Sequence, residues 1–281
     1  MESKNKNISV FIINLKHSIE RKKHMQELCE KYNLNYEFIE AVDGRTLSEV
    51  EIEKIYSKEK VIKAIGREMS RSEIGVLLSQ KSIYEKILKE NIDNALIFED
   101  DIEFDQRLIT VLNEIENFPK YWNLILLGHH SPRGRDIETS YSLWGQEKVT
   151  DKFKLARPAE LGFGAYGYLL KKSAAKVLLE ELNEIEKPLD HITGSDEKLN
   201  LYVLIPAVVD IHQDLSENYH NMHDRKELIK SIEQKNKKYF TLKRKALIFL
   251  HLDKLWDNLP KKYTRLKNII KMRRTYKPDS A

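Results

Sequence analysis

The stretch Ala95-Leu96-Ile97-Phe98-Glu99-Asp100-Asp101 (ALIFEDD, residues 95–101) places four apolar residues directly before three carboxylates. The apolar part predicts a short buried β-strand, with the acidic triplet at its carboxyl end. Ligands of open α/β sheets bind beyond the carboxyl ends of strands. Adjacent carboxylates repel one another unless a cation or donors compensate, so the triplet predicts a Mg²⁺ or Mn²⁺ site. The alternative is an acidic surface turn with an aspartate capping a helix.

Strand and helix patterns alternate on both sides of this stretch. Residues 8–15 (ISVFIINL) form an apolar run typical of a strand buried on both faces of a parallel sheet. Further strands are predicted at residues 36–41, 122–127, 162–170 and 202–209. Helices are predicted at residues 16–32, 105–115 and 173–182, and after a capping box formed by Ser70 and Glu73. We therefore expect an α/β fold with an open sheet flanked by helices.

Two regions depart from this alternation. Residues 130–159 contain scattered proline and glycine with weak periodicity, so we expect a long, partly irregular segment that contributes to the choice of acceptor. After about residue 215 the pattern becomes helical and basic. The sequence thus predicts one catalytic domain at residues 1–215 and a helical basic extension at residues 216–281.

The bulk composition points to a protein of the cytoplasm. Cys29 is the only cysteine, so no intrachain disulfide or cysteine-based zinc site can form. The polar residues 1–7 lack the apolar core of a signal peptide. No stretch approaches the roughly 18 apolar residues of a membrane span. We expect a cytoplasmic protein, either soluble or peripheral on the inner membrane.

The basic extension is a distinct electrostatic region. Residues 243–277 hold twelve Lys or Arg residues against two Asp residues, whereas the whole chain has a net charge of only +4. Apolar residues recur there at helical spacing, which is typical of a helix that binds an anionic membrane surface. The alternative is that the apolar face packs on the catalytic domain or on a partner subunit.

A series of short motifs runs in order through residues 8–216. They are Asn14-Leu15 with Arg21, Glu40-Ala41-Val42-Asp43-Gly44, Glu73-Ile74-Gly75 with Leu78-Ser79, the stretch ending in the acidic triplet, Gly164-Ala165-Tyr166-Gly167-Tyr168, Ala174-Ala175-Lys176 and Pro188-Leu189-Asp190. The ordered set resembles glycosyltransferase family 25, the family of lipopolysaccharide and lipooligosaccharide galactosyltransferases, to which collagen galactosyltransferase domains are similar. A single motif is weak, but the ordered set is specific.

The resemblance implies a GT-A-like fold and inverting transfer of a hexose, usually galactose, from a UDP-sugar to a lipopolysaccharide or lipooligosaccharide sugar. It also implies a divalent metal, Mn²⁺ or Mg²⁺, bound by Asp101 and Glu99. The residues it places at the nucleotide-sugar site are Asn14, Leu15, Arg21, Ala41, Val42, Asp43, Gly44, Ser79, Glu99 and Asp100. One departure is that Gln80 follows Ser79 where the family commonly has histidine, so proton shuttling there is not expected.

An inverting transfer needs a base for the acceptor hydroxyl. Asp190 is the leading candidate because it matches a family position, with a helix N-cap or turn aspartate as the alternative. The reserve candidates are Glu160, Asp196 and Glu197. Secondary hypotheses assign metal binding to His212, His220 and His223, against surface histidines, and sugar stacking to Trp144, Tyr166 and Tyr168, against core aromatics.

The expected partners are therefore a UDP-sugar donor, a glycolipid or oligosaccharide acceptor, and an anionic membrane surface. A UDP-glucose-dependent glucosyltransferase of the same fold is one alternative. A nucleic-acid-binding protein that uses the basic tail is another, but the chain lacks an aromatic-basic RNA motif or a DNA-reading element. We accordingly expect no nucleic-acid partner.

Overall fold

The computed structural model describes residues 8–131, 135, 137–143, 145–183, 185–195 and 198–215. The strands are β1 (Ser9–Asn14), β2 (Tyr36–Glu40), β3 (Asn94–Glu99), β4 (Ile102–Phe104), β5 (Leu124–Leu126), β6 (Glu147–Lys148), β7 (Lys154–Ala156), β8 (Gly167–Lys171), β9 (Leu201–Ile205) and β10 (Val209–Ile211). The helices are α1 (Ile19–Lys31), α2 (Glu49–Ile55), α3 (Lys58–Ile65), α4 (Arg71–Lys89), α5 (Gln106–Leu112), α6 (Lys172–Glu181) and α7 (Leu189–Thr193), with short 3-10 turns at Gly44–Thr46 and Ile115–Asn117.

The described strands form a mixed sheet of eight in the order β2-β1-β3-β8-β5-β9-β7-β6. β1 runs parallel to both β2 and β3, and β8 lies antiparallel between β3 and β5. β5 is parallel to β9, and β7 is antiparallel both to β9 and to the edge strand β6. β4 and β10 form a separate antiparallel pair. The predicted mixed α/β architecture is confirmed.

Helices cover both faces of this sheet, which explains why β3 is apolar throughout. Ala95 and Ile97 pack into one core cluster with residues of α4 and α6. Leu96 and Phe98 pack into the other cluster with residues of α1 and α5. Successive side chains of a strand point to opposite faces, so a strand covered on both sides needs a continuous apolar run. Each such buried side chain stabilises the fold by roughly 1.5–3 kcal/mol.

The start of α4 fixes the position of the turn after β2. Ser70 and Glu73 form the predicted capping box. Gly75 faces Gly44 at very close range, and a Cβ added at Gly75 would lie 2.5 Å from the Val42 carbonyl oxygen. A Cβ added at Gly44 would lie 1.8 Å from the Arg71 carbonyl oxygen. Only glycine at both positions allows this contact, which holds the turn against the helix.

Several predicted boundaries are wrong. The strand predicted at residues 202–209 is two elements: β9 ends before Pro206, which has no backbone N–H, and β10 pairs with β4. The strand predicted at residues 162–170 is limited to β8 and starts later. Residues 130–159 contain the short strands β6 and β7, which agrees with the partly irregular segment that was expected, whereas α2 and α3 were not predicted.

The chain forms one compact unit up to His212. The predicted extension at residues 216–281 lies outside the described residues, so the boundary after residue 215 stays a prediction. In the part of the chain that the structure describes, no helix is long and apolar enough to cross a membrane.

Candidate active site

The acidic triplet lies at the carboxyl end of β3, beside the carboxyl end of β1. Glu99 is the last residue of β3, and Asp100 and Asp101 form the turn that leads into β4. The parallel register pairs Ile13 of β1 with Glu99, so Asn14 comes beside Asp100. The predicted strand therefore delivers the carboxylates to the sheet edge where ligands of α/β proteins bind.

Asp100 is surrounded by hydrogen-bond donors. Asn14 Nδ2 donates to its Oδ2 at 2.7 Å, and Arg21 Nη1 donates to its Oδ1 at 3.1 Å. The Arg21 and Asp100 side chains are only 15% and 9% exposed. Burial raises the pKa of Asp100, while Arg21 and Asn14 offset part of this rise. We call Asn14, Arg21 and Asp100 the Asp100 cluster; it is a satisfied, largely buried ion pair.

Glu99 has a contrasting environment. Burial, followed by the carboxylates of Asp101, Asp190 and Asp100, holds the pKa of Glu99 well above its ordinary value. Arg135 is the cation that opposes this rise. We call Glu99, Asp190 and Arg135 the Glu99 cluster. Glu99 is thus buried among like charges, the condition in which its carboxyl titrates closer to neutral pH.

Asp190 reaches this cluster from α7. It lies in the first turn of that helix, and its Oδ1 accepts backbone N–H groups of Gly164 at 3.2 Å and Ala165 at 3.1 Å. The next residue of that loop, Tyr166, accepts the Glu99 backbone N–H through its carbonyl oxygen at 2.9 Å. The loop before β8 thus joins Asp190 to the end of β3. Pro188, and not Asp190, occupies the helix N-cap position.

Residues 41–44, which we call the nucleotide turn because they are predicted to bind the nucleotide, lie beside β1. The Ala41 N–H donates to the Asn14 carbonyl oxygen at 2.9 Å, and the Val42 N–H donates to Ser79 Oγ at 2.8 Å. Asp43 accepts N–H groups of Arg45 from both backbone and side chain, which lowers the pKa of Asp43. The hydrogen bonds of Ala41 and Val42 therefore hold the first residues of the nucleotide turn at the sheet edge that carries the acidic triplet.

Ser79 supports this turn from below. Its Oγ donates to the Gly75 carbonyl oxygen at 2.7 Å and accepts the Val42 N–H, and the residue is only 1% exposed. What the structure shows is thus internal support of the turn. The contacts with a nucleotide expected of Ser79, Leu15, Ala41, Val42, Asp43 and Gly44 stay predictions.

A model of glycosyltransferase family 25 (LPS biosynthesis protein) matches residues 7–193. The chain belongs to this family. The match includes both clusters and the nucleotide turn, so the carboxyl ends of β1 and β3 form the candidate active site of a family-25 glycosyltransferase.

Curated relatives agree with the family assignment. Procollagen galactosyltransferase 1-A of Xenopus laevis is 28% identical over 210 residues, covering 72% of this chain and 31% of the relative. A glycosyltransferase 25 family member of Aedes aegypti is 31% identical over 195 residues, covering 67% and 30%. One of Drosophila melanogaster is 30% identical over 201 residues, covering 68% and 30%. The chain spans under a third of the length of these relatives.

The divalent metal expected of this family-25 chain receives limited support from the geometry. Within the described ranges, no three His, Cys, Asp or Glu side chains are grouped to hold a metal ion. Asp100 is already bound by Asn14 and Arg21. Glu99 and Asp101 remain, and Mg²⁺ sites commonly use one or two carboxylates together with substrate phosphates. The protein residues therefore fit a metal only if a diphosphate completes the coordination.

The position where the family commonly has histidine is part of a buried hydrogen-bond chain. Tyr84 OH donates to Tyr168 OH at 2.7 Å, and Tyr168 OH donates to Gln80 Oε1 at 2.6 Å. All three side chains are completely buried. The prediction that Tyr168 stacks on a sugar is therefore wrong, because its ring on β8 is buried in the core against α4. Tyr166 is also buried, at 9% exposed.

Sequence reasoning missed Arg135, a member of the Glu99 cluster, and His130, which lies near it. His130 stacks on Tyr166 with ring centroids 6.2 Å apart, and burial lowers the pKa of His130. Arg135 follows in the segment that was expected to be irregular, where no periodicity marks a side chain as buried.

The reserve candidates have different outcomes. Glu160 Oε1 accepts the Ser140 backbone N–H at 2.8 Å, a contact between the long segment and the residue that follows it. The His212 backbone N–H donates to the Asp101 carbonyl oxygen at 2.7 Å, and its ring packs against His24, so a metal-ligand role for His212 stays a prediction. The other candidates lie outside the described residues: Trp144, Asp196, Glu197, His220 and His223.

Proposed function

We propose that this family-25 glycosyltransferase transfers galactose from UDP-galactose to a sugar hydroxyl with inversion at the anomeric carbon. Family membership and the galactosyltransferase relatives support the class of reaction. The observation that carries the site assignment is the convergence of Asp190 and Glu99 at the carboxyl end of β3. A glucosyltransferase that uses UDP-glucose is the alternative within the same fold.

In the proposed reaction, the acceptor oxygen attacks the anomeric carbon, the bond to the UDP oxygen breaks, and the acceptor proton passes to a base. Asp190 is suited to this role because its known contacts occupy only one oxygen. Oδ1 is held by the N–H groups of Gly164 and Ala165, whereas Oδ2 has no hydrogen-bond partner among the described residues. A fixed carboxylate with one open oxygen provides the positioning that general-base catalysis requires.

Glu99 is a second candidate base, as an alternative to its proposed role as a metal ligand, and its raised pKa favours the role of base. A base is most effective when its pKa lies near the working pH, and burial together with the neighbouring carboxylates raises the pKa of Glu99 in that direction. Separate Asp190→Asn and Glu99→Gln variants distinguish the two. The base variant loses turnover while its affinity for the donor persists.

A divalent ion, Mn²⁺ or Mg²⁺, is part of the proposal. When bound, it would offset the negative charge that develops on the departing diphosphate. Asp101 and Glu99 are the residues that would hold it, together with oxygens of the donor. Chelator-sensitive turnover, restored by added Mn²⁺, is the expected result.

The acceptor and the cellular location are further parts of the proposal. A lipopolysaccharide or lipooligosaccharide sugar is the proposed acceptor, and the basic residues 243–277 would place the enzyme at the cytoplasmic side of the inner membrane. Binding of the full chain to vesicles with and without anionic lipid tests the location. Equal binding to both would remove it.

The direct test of the activity is release of UDP from a panel of UDP-sugars in the presence of oligosaccharide acceptors. UDP-galactose should be the preferred donor, and the product should have the anomeric configuration opposite to that of the donor. Preference for UDP-glucose would select the alternative. No release from any UDP-sugar would contradict the proposed donor class.

A further inference from the structure

Arg135 lies at the Glu99 cluster without a hydrogen-bond partner for part of its guanidinium group. Its Nη1 is buried and receives no acceptor from the residues that the structure describes. Arg21, the arginine of the neighbouring cluster, donates instead to Asp100 at 3.1 Å. A buried donor left unpaired is costly, since it loses water without gaining a protein acceptor. The cost is recovered if a ligand supplies the acceptor.

The backbone on both sides of Arg135 is anchored next to Asp190. The Ser131 N–H donates to the Ile137 carbonyl oxygen at 2.7 Å, which joins described residues on the two sides of Arg135. The His130 N–H donates to the Phe163 carbonyl oxygen at 2.8 Å. Phe163 directly precedes the two residues whose N–H groups hold Asp190. The described residues that flank Arg135 in the sequence are thus hydrogen-bonded to each other and to the segment that holds Asp190.

The charge around Arg135 is mainly negative. Arg135 opposes the rise in the pKa of Glu99. It also lowers the pKa values of His130 and Tyr166, which the carboxylates of Asp190 and Asp210 raise. An anionic substrate group that enters this region meets several carboxylates, so it needs a cation. A guanidinium fork matches two phosphate oxygens and is weakly hydrated, which suits it to a partly closed site.

We infer that Arg135 is a binding residue for the diphosphate of the nucleotide-sugar donor. This inference rests on the proposed function and adds to it a named phosphate contact on the segment that follows β5. Arg135 then offsets charge on the diphosphate, whereas the arginine of the Asp100 cluster pairs with its own carboxylate.

The test is titration calorimetry of UDP and of uridine on the full chain. UDP affinity should fall at least about tenfold in Arg135→Ala, equal to the loss of roughly one charge-assisted contact. Uridine affinity should be unchanged, because uridine has no phosphate. Arg107→Ala is the matched control, since Arg107 is exposed and pairs with Asp105 away from the cluster. A melting curve of each variant checks that it is folded.

The outcomes separate this inference from the function on which it rests. If the native chain binds UDP and Arg135→Ala binds it equally well, the inference is overturned and the proposed donor class stands. If uridine binding falls as much as UDP binding, Arg135 contributes to binding of the nucleoside or to the fold, and the inference is likewise overturned. If the native chain binds neither compound, the proposed donor class fails, and the inference fails with it.

Discussion

The Asp100 cluster and the Glu99 cluster contain adjacent residues of the chain, yet the surroundings of their carboxylates differ. Asp100 receives hydrogen bonds from Asn14 and Arg21, so its negative charge is balanced within the protein. Glu99 is buried and interacts with the carboxylates of Asp101, Asp190 and Asp100, which Arg135 opposes. A cluster with balanced charge stabilises the contact between the elements that carry it. A cluster with unbalanced charge and a shifted pKa is typical of a functional site.

The difference follows from the two-residue period of the strand. Ala95 and Ile97 face the α4 and α6 side of the sheet, and Leu96 and Phe98 face the α1 and α5 side. Continuing that alternation places Glu99 towards the first side and Asp100 towards α1, which carries Arg21. One step along the chain therefore separates an ion pair from a set of repelling carboxylates.

The largest expected effect is in the Glu99 cluster, on turnover. Asp190→Asn keeps an oxygen to accept the Gly164 and Ala165 N–H groups but cannot take a proton. Transfer should fall by between about 10² and 10⁴, with UDP-sugar affinity retained. Steady-state kinetics and a donor titration measure the two quantities. Undiminished turnover would remove Asp190 from the role of base and leave Glu99.

The Asp100 cluster should respond instead through stability. Arg21→Met leaves Asp100 buried without its cation, which should lower the free energy of unfolding by about 3 kcal/mol. Urea denaturation measures this loss. The matched control is the double variant with Asp100→Asn, which should recover most of the stability. A loss below about 0.5 kcal/mol would show that the pair is an ordinary surface interaction.

Glu99→Gln should change stability in the opposite direction. A raised pKa means that folded Glu99 keeps a proton that the unfolded chain releases, so the native protein loses stability as pH rises above the ordinary glutamate range. The neutral variant lacks this contribution and should gain between about 1 and 2 kcal/mol at neutral pH. Urea denaturation at pH 5 and pH 8 tests the sign; a destabilised variant at pH 8 contradicts it.

The smallest effect is expected outside both clusters. Ser70→Ala removes the side-chain oxygen that accepts the Glu73 N–H at the start of α4, and should cost about 1 kcal/mol. Transfer activity at a temperature well below unfolding should be unchanged. Altered transfer kinetics in this variant would show that the position of the nucleotide turn depends on the first turn of α4. That result would weaken the contrast between the two clusters.

The sequence predicted those parts of the fold that depend on local pattern. The apolar run of β1, the strand that delivers Glu99, and the capping box at Ser70 are confirmed, because a fully covered strand and a capped helix have direct signatures. The ordered motifs also predicted the family correctly.

Long-range contacts account for what the sequence did not predict. Nothing in the local pattern shows that Asp190 binds the N–H groups of Gly164 and Ala165, or that Arg21 is taken up by Asp100. Sugar stacking by Tyr168 was wrong because its partners Tyr84 and Gln80 are 84 and 88 residues away. Arg135 was missed because an irregular segment gives no period from which burial can be inferred.

The central claim is that the acidic end of β3 binds a nucleotide-sugar donor. Its most direct test is calorimetric titration of UDP-galactose, with Mn²⁺ and with chelator, into the native chain and into Asp101→Asn. The account predicts metal-dependent binding to the native chain that is weakened at least about tenfold in the variant, since one of two proposed ligands is impaired. Binding that is equal in both proteins, or absent from the native chain under every condition, would contradict it.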